Sequence, residues 1–153
     1  MEQAETREPS LDIQLFGPMR VTLHRMPLPR LPRSASWLLA LLALRLGRDV
    51  AREWLAGNLW PDSEPEQTLY NLRRCLSELR QALGTAADAL LTPARQTIRL
   101  NREGVRVDVY VFDAAVSQFE KQHDRGGKRP EGSPEPAFPE AALALYHGPL
   151  LED

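Results

Sequence analysis

Leu69, Leu72, Leu76, Leu79 and Leu83 recur at alternating spacings of three and four residues. At about 100° per residue this places all five along one side of a helix. The opposite side carries Gln67, Tyr70, Asn71, Arg74, Ser77, Glu78 and Gln81, a face chemically suited to base-pair edges and the phosphates beside them. Ser63 followed three residues on by Glu66 predicts a capping box. Pro65 suits a first turn, and Gly84 suits the left-handed position past the end. The segment from about Glu64 to Leu83 therefore reads as one long amphipathic helix. Before it, 50–60 reads as a shorter helix with Trp54, Leu55 and Leu59 toward a core, ended by Pro61. Two helices joined by a short Pro-containing turn form a helix-turn-helix candidate. An arginine-bearing helix face is in most proteins simply a solvated surface, so the surroundings of the pair decide its meaning.

Those surroundings have a recognisable order. Leu11–Phe16 and Met19–Leu23 are alternating runs separated by Gly17-Pro18, which predicts an antiparallel hairpin. Pro27, Pro29 and Pro32 restrict the next segment to an edge strand at best. Trp37–Leu46, closed by Gly47, is apolar on almost every side and reads as the central buried helix. It is too short to span a membrane, for which about 20 residues are needed. After a loop at 85–88, Ala89–Thr92 and Thr97–Leu100 flank a Pro93-Ala94 turn, with Arg95, Arg99 and Arg102 along this hairpin. A basic hairpin directly following a helix-turn-helix has the layout of a wing.

Together, Leu15-Phe16-Gly17-Pro18, Trp37-Leu38-Leu39-Ala40-Leu41-Leu42-Ala43, Leu59-Trp60-Pro61-Asp62, Asn71-Leu72-Arg73-Arg74, Leu79–Gly84 and Val107-Asp108-Val109 resemble the antibiotic regulatory protein (SARP) family of actinobacterial transcriptional activators. The likeness runs from about residue 11 to the end of the chain. It implies an α+β fold: an OmpR-type winged helix-turn-helix with an N-terminal sheet, three helices and a C-terminal wing, followed by a tetratricopeptide-like helical activation domain. Ala142–Asp153 resembles an early helix of that second domain and the turn after it. The resemblance further implies binding of tandem direct repeats by two copies, a homodimer on DNA, and recruitment of RNA polymerase. Two departures are visible. The wing strand reads Gln96-Thr97-Ile98-Arg99-Leu100 without the family's Gly-Tyr pair, and the chain stops at Asp153 where the activation domain would continue through more helices. A fragment of a longer regulator is therefore the expectation.

The distribution of charge fits two functions in series. The chain as a whole carries −2, yet residues 11–106 hold 14 arginines against nine acidic residues, while 107–153 hold four basic against nine acidic ones. A basic front and an acidic back suit a DNA-binding domain followed by a protein-contacting one. All basic residues except Lys121 and Lys128 are arginine. That choice favours bidentate contact with phosphate and guanine, and a GC-rich genome would produce it as well.

Other chemistries find little support. Cys75 is the single cysteine and His24, His123 and His147 lie far apart, so neither a disulfide, a zinc site nor a Cys-His nucleophile has its ligands or partners. Gly126-Gly127 sits in a polar, Pro-rich stretch, 124–136, that reads as a surface loop rather than a phosphate cradle. Met1–Ser10 lacks the apolar core of a signal peptide and reads as a disordered tail. The compartment expected is the reducing cytoplasm, with no cofactor, no enzyme activity and no membrane partner.

The domain organisation read from the sequence is a tail (1–10), a winged helix-turn-helix (11–107) and the start of an activation domain (108–153). In the latter, Asp108 caps a helix from Val109 to Gln122 with Phe112, Ala115, Val116 and Phe119 on one face, and Pro139 opens another through His147. The function expected is sequence-specific recognition of double-stranded DNA by a transcriptional activator. Gln67, Tyr70, Asn71, Arg74 and Ser77 lie nearest the bases or backbone, and Arg73, Arg80, Arg95 and Arg99 are the phosphate candidates. Arg80 borders the apolar stripe and either meets phosphate or pairs with an acid inside the domain. The competing reading is a winged-helix module used for protein interaction or dimerisation, its arginine face bridged to an acidic partner.

Overall fold

A computed structural model describes residues 10–28, 30–124, 143–146 and 148–151. Elements follow one another as β1 (Leu11–Gln14), β2 (Arg20–Leu23), β3 (Met26–Pro27), α1 (Arg33–Leu44), β4 (Val50–Ala51), α2 (Arg52–Leu59), α3 (Pro65–Leu83), a 3₁₀ turn (Gly84–Ala89), β5 (Leu90–Leu91), β6 (Thr97–Leu100), β7 (Val105–Val107) and α4 (Asp108–Asp124). The chain divides into two compact units. One joins the residues up to Ile13 to Val21–Arg106, and the other joins Gln14–Arg20 to Val107 and beyond.

In the first unit the helices α1, α2 and α3 pack on two small sheets. The N-terminal sheet has the strand order β3-β2-β1-β7 and the second the order β4-β6-β5. β3 sits at the edge of its sheet, where Pro27 costs no ladder hydrogen bond. Val105–Val107 joins that sheet as a strand, a pairing that three residues of local sequence do not announce. In the second sheet β4 pairs with β6 through Val50 and Ile98, and β6 pairs with β5 through Leu90 and Leu100. The hairpin β5–β6 is thus anchored by a strand that precedes α2.

The core is aliphatic. Leu11, Ile13, Leu38, Leu39, Leu42, Leu55, Leu72, Leu79, Leu83, Ile98 and Leu100 are fully buried in this unit. Each such side chain contributes roughly 1.5–3 kcal/mol on leaving water. The helix expected at Trp37–Leu46 begins earlier, at Arg33, and ends at Leu44. It buries Ala35, Leu38, Leu39, Ala40, Leu42 and Ala43, while Trp37 stays on the exposed side. Gly47 follows with φ +76°, its N–H donates to Leu100 O at 2.9 Å, and a Cβ there would stand 2.5 Å from Arg102 Nε. Only glycine meets both conditions without strain.

Two local expectations give way to tertiary context. Trp54, expected in the core, is 38% exposed. α2 has only eight residues and turns Leu55 and Ala56 inward, which leaves Trp54 on its shoulder, where the Arg45 guanidinium lies 4.2 Å from the ring centroid. The capping box of Ser63 and Glu66 does not form. Pro65 occupies the first helical position, so the extended Glu64 is the N-cap residue, and no side chain caps the helix. Ser63 stands one residue too early, because the residue before a proline is held extended and the helix must begin at the ring. Thr68 instead donates through Oγ1 to Pro65 O at 2.7 Å.

The second unit contains α4 and residues 14–20. Asp108 opens α4, and its buried carboxylate accepts three backbone N–H groups: Leu15 at 2.9 Å, Phe16 at 3.0 Å and Val109 at 2.8 Å. This explains a charged residue with 3% exposure, since a carboxylate leaves water at tolerable cost only when its oxygens are hydrogen-bonded. Phe16 meets Phe112 and Tyr146 edge-on, with ring centroids 5.4 and 5.5 Å apart. Phe112, Ala115, Val116 and Phe119 are half-buried on α4. Gly17 N–H donates to Pro149 O and Leu151 N–H to Leu15 O, so 15–17 and 149–151 run as a short antiparallel pair. The N-terminal tail (1–9), the polar stretch from 125 and most of the helix expected from Pro139 lie outside the described residues; Leu143–Tyr146 form a turn closed by Tyr146 N–H to Leu143 O.

Candidate nucleic-acid interface

α3 has two faces. Thr68, Leu72, Cys75, Leu76, Leu79 and Leu83 are buried, and Leu69 is only half-buried. Thr68 and Cys75 therefore complete the inner stripe that the leucine spacing assigns in part to Leu69. Burial raises the pKa of the Cys75 thiol above its ordinary value, partly offset by a hydrogen bond with Ser34, while the negative charge of Glu78 adds to the rise. The thiol is thus a packing group. On the outer face Gln67, Tyr70, Arg73, Arg74, Ser77 and Gln81 are exposed, and Asn71 is half-exposed. Tyr70, at 54% exposure, is a large aromatic with little to cover it.

The outer side chains are organised along the helix. Gln67 Nε2 donates to Asn71 Oδ1 at 3.0 Å, which leaves the Gln67 carbonyl oxygen as an acceptor and the Asn71 amide nitrogen as a donor in a linked pair. Arg74 Nε lies 3.4 Å from Glu78 Oε1, four residues on, with the arginine side chain 71% exposed. Such an exposed pair is worth only a few tenths of a kcal/mol, so a stronger anion can displace the glutamate. Gly84 ends the helix with φ +54°, but ψ of −117° leads the chain into the 3₁₀ turn in place of the left-handed cap expected from glycine.

The arginines named from the sequence meet different fates. Arg95 is exposed in the turn between β5 and β6. Arg99 on β6 is tied to Asp49, with Nε to Oδ1 at 2.5 Å, and the hydrogen bond and charge of Asp49 raise its pKa further. Arg102 lies beyond the hairpin, beside Gly47, where it contacts Leu46 O. Arg106 pairs with Asp12 at 3.6 Å. Arg80 is half-buried and has no acidic partner among the described residues. The internal ion pair weighed for it from the sequence is absent there. Sequence reasoning passed over Arg52, the first residue of α2, whose pKa is lowered by burial and then by the charges of Arg80 and Arg73. Its signal was the position of an arginine at a helix start otherwise read for its apolar residues.

Among the described residues no three His, Cys, Asp or Glu side chains are grouped to hold a metal ion, and no helix is long and apolar enough to cross a membrane.

No family model matches the chain. The chain is 26% identical over 159 aligned residues to the transcriptional regulatory protein EmbR of Mycobacterium tuberculosis and of Mycobacterium bovis, with all of this chain and 39% of the relative covered. A solved structure of Mycobacterium tuberculosis EmbR in complex with a low-affinity phosphopeptide superposes with a TM-score of 0.68 at 26% identity, covering 94% of this chain and 38% of that one. The chain is therefore homologous to a transcriptional regulator and shares its mixed α+β architecture, while it spans about two fifths of that regulator's length.

Proposed function

We propose that this chain is the winged helix-turn-helix portion, with the start of an activation domain, of a transcriptional activator that binds specific double-stranded DNA. The observation that carries the reading is the two-faced α3: an inner stripe held in the core, and an outer face on which Gln67, Tyr70, Arg73, Arg74 and Ser77 are exposed together with half-exposed Asn71. A helix fixed by its back and polar on its front suits a major groove. Homology to a transcriptional regulator supports the same conclusion.

In this reading α2 positions α3. Gln67 and Asn71 present a linked amide pair that suits adenine, and Arg74 exchanges Glu78 for guanine O6/N7 or phosphate. Arg73, Arg80 and Arg95 contact phosphate, and Arg99 does so through the guanidinium edge not given to Asp49. The winged helix-turn-helix comprises 11–107 and the activation domain begins at 108. Two copies bind tandem direct repeats as a homodimer on DNA, and the acidic second part recruits RNA polymerase in the cytoplasm. Selection of binding sites from random duplexes, followed by titration at several salt concentrations, tests this. An enriched sequence bound with affinity that falls steeply with salt is the expected result. Salt-independent behaviour with no enriched sequence would instead favour a protein-interaction or dimerisation module.

A further inference from the structure

Away from α3, an open hollow of about 360 Å³ lies between α1 and the start of α2, lined by Leu41, Leu44, Arg45, Arg48 and Trp54. None of these residues belongs to α3 or to the β5–β6 hairpin. Trp37, Leu41 and Leu44 follow one another on α1 at spacings of four and three, so they share one face of that helix. The face is not closed over: Leu41 and Leu44 are half-buried, and Trp37 and Trp54 are 37% and 38% exposed.

Two exposed cations border these apolar walls. The Arg45 guanidinium lies over the Trp54 ring, 4.2 Å from its centroid, and in that position its edge N–H groups remain able to meet an anion. Arg48 has no carboxylate partner among the described residues, and Asp49 beside it is taken by Arg99. The combination selects an occupant. A symmetric second copy centred on the hollow would set Arg45 and Arg48 against their own counterparts, because a two-fold interface puts the same patch on both sides and facing like charges oppose it. A DNA backbone would supply phosphates but nothing for Leu41, Leu44 and Trp54 to bury. An acidic segment of another protein, with a large apolar side chain among its carboxylates, satisfies both parts. Trp and Arg are also the residue types on which binding energy concentrates at protein interfaces.

We propose that the hollow between α1 and α2 is a docking site for an acidic peptide segment of a partner protein, whose apolar anchor packs on Leu41, Leu44 and Trp54 while its carboxylates pair with Arg45 and Arg48. Arg45 and Trp54 already hold each other in place, which lowers the ordering cost of binding. The site is separate from the α3 face proposed to meet DNA and does not depend on that reading.

The test selects binders to the immobilised full chain from a random peptide library displayed on phage, and titrates the recovered sequences as synthetic peptides. They are expected to combine a leucine, phenylalanine or tryptophan with neighbouring aspartates or glutamates, and to bind less tightly as salt rises. Trp54→Ala should weaken them by at least about tenfold, and Arg48→Glu by about tenfold. Replacing the peptide carboxylates by amides should have a similar effect. Both variants should melt within about 3 °C of the unaltered chain, because each side chain is exposed. In the unaltered chain the peptide should shift the indole N–H resonance of Trp54 and leave that of Trp60 in place, a readout that needs no folded variant. No enrichment, enrichment of sequences without acids, equal affinity for Trp54→Ala and the unaltered chain, or an unmoved Trp54 resonance overturns the site. Concentration-dependent self-association abolished by Trp54→Ala would give the hollow to a second copy. Loss of affinity for random duplex in Arg48→Gln, with a salt dependence shallower by about one unit, would give it to DNA. Either of these outcomes also overturns the proposal.

Discussion

The helix α3 and the β5–β6 hairpin both carry arginine, yet their arginines are in different electrostatic states. On α3, Arg73 and Arg80 lack acidic partners among the described residues and Arg74 is held only by an exposed glutamate one turn away. On the hairpin, Arg99 is committed to Asp49 and Arg95 alone stands open in the turn. A count of basic residues, three on α3 and two on the hairpin, understates the difference. Of these two surfaces, α3 offers a partner more uncommitted charge, so affinity and specificity should depend on the helix far more than on the hairpin.

The largest expected effect concerns what holds α3 in place. Leu79 is fully buried behind the polar face, so Leu79→Ala should cost about 2–5 kcal/mol of stability, read as a fall in melting temperature. A loss below about 1 kcal/mol would mean that the core tolerates a loose helix, and the contrast between helix and hairpin would lose its basis.

Next comes the outer face itself. Arg74→Ala should weaken binding to a selected duplex by about 1–3 kcal/mol and relax preference at one or two adjacent base pairs. Glu78→Gln should strengthen binding slightly by freeing Arg74, an effect of about 0.5 kcal/mol. If Arg74→Ala left the affinities for both random and selected DNA unchanged from those of the unaltered chain, α3 would be removed from the groove.

For the wing, Arg95→Ala should lower affinity across all sequences and make the salt dependence shallower by about one unit. Arg99→Ala alone should change it less, because Asp49 already neutralises that side chain. Asp49→Asn sharpens the comparison: released from its partner, Arg99 should raise affinity for random duplex by about threefold. If Arg99→Ala proves the more damaging of the two, the Asp49 pair orients the guanidinium toward DNA rather than withholding it.

The smallest effect lies on the inner face. Burial raises the Cys75 thiol pKa in the folded chain. Its contribution to stability is thus complete below the unfolded value and fades as the unfolded thiol ionises in alkaline solution. Between pH 8 and 9.5 the folded chain should lose at most about 1.2 kcal/mol from this source. Cys75→Ala should flatten that part of the stability profile, and an unaltered slope in paired denaturant titrations would show that Cys75 is not responsible.

Much of the fold was legible because helices announce themselves locally. The leucine stripe, Pro65 and Gly84 delimit α3 to within a residue or so, and Pro27 marks an edge strand. Where the reading failed, longer-range packing prevailed over a local signal. Trp54 is apolar enough for the core, but the phase of an eight-residue helix spends its two inward positions on Leu55 and Ala56. Ser63 and Glu66 have the right spacing for a capping box, and a proline between them moved the helix start past the cap. Val105–Val107 is too short to read as a strand until β1 lies beside it.

The polar face of α3 follows from the sequence alone, because a helix with period 3.6 and five leucines on one side must turn Gln67, Tyr70, Arg74 and Ser77 to the other. Which arginines remain free does not follow, since Asp49 and Arg99 are 50 residues apart and Arg52 and Arg80 lie on different helices. Coulomb interactions depend on distance in space, and that distance is set only when β4, α2, α3 and β6 pack together.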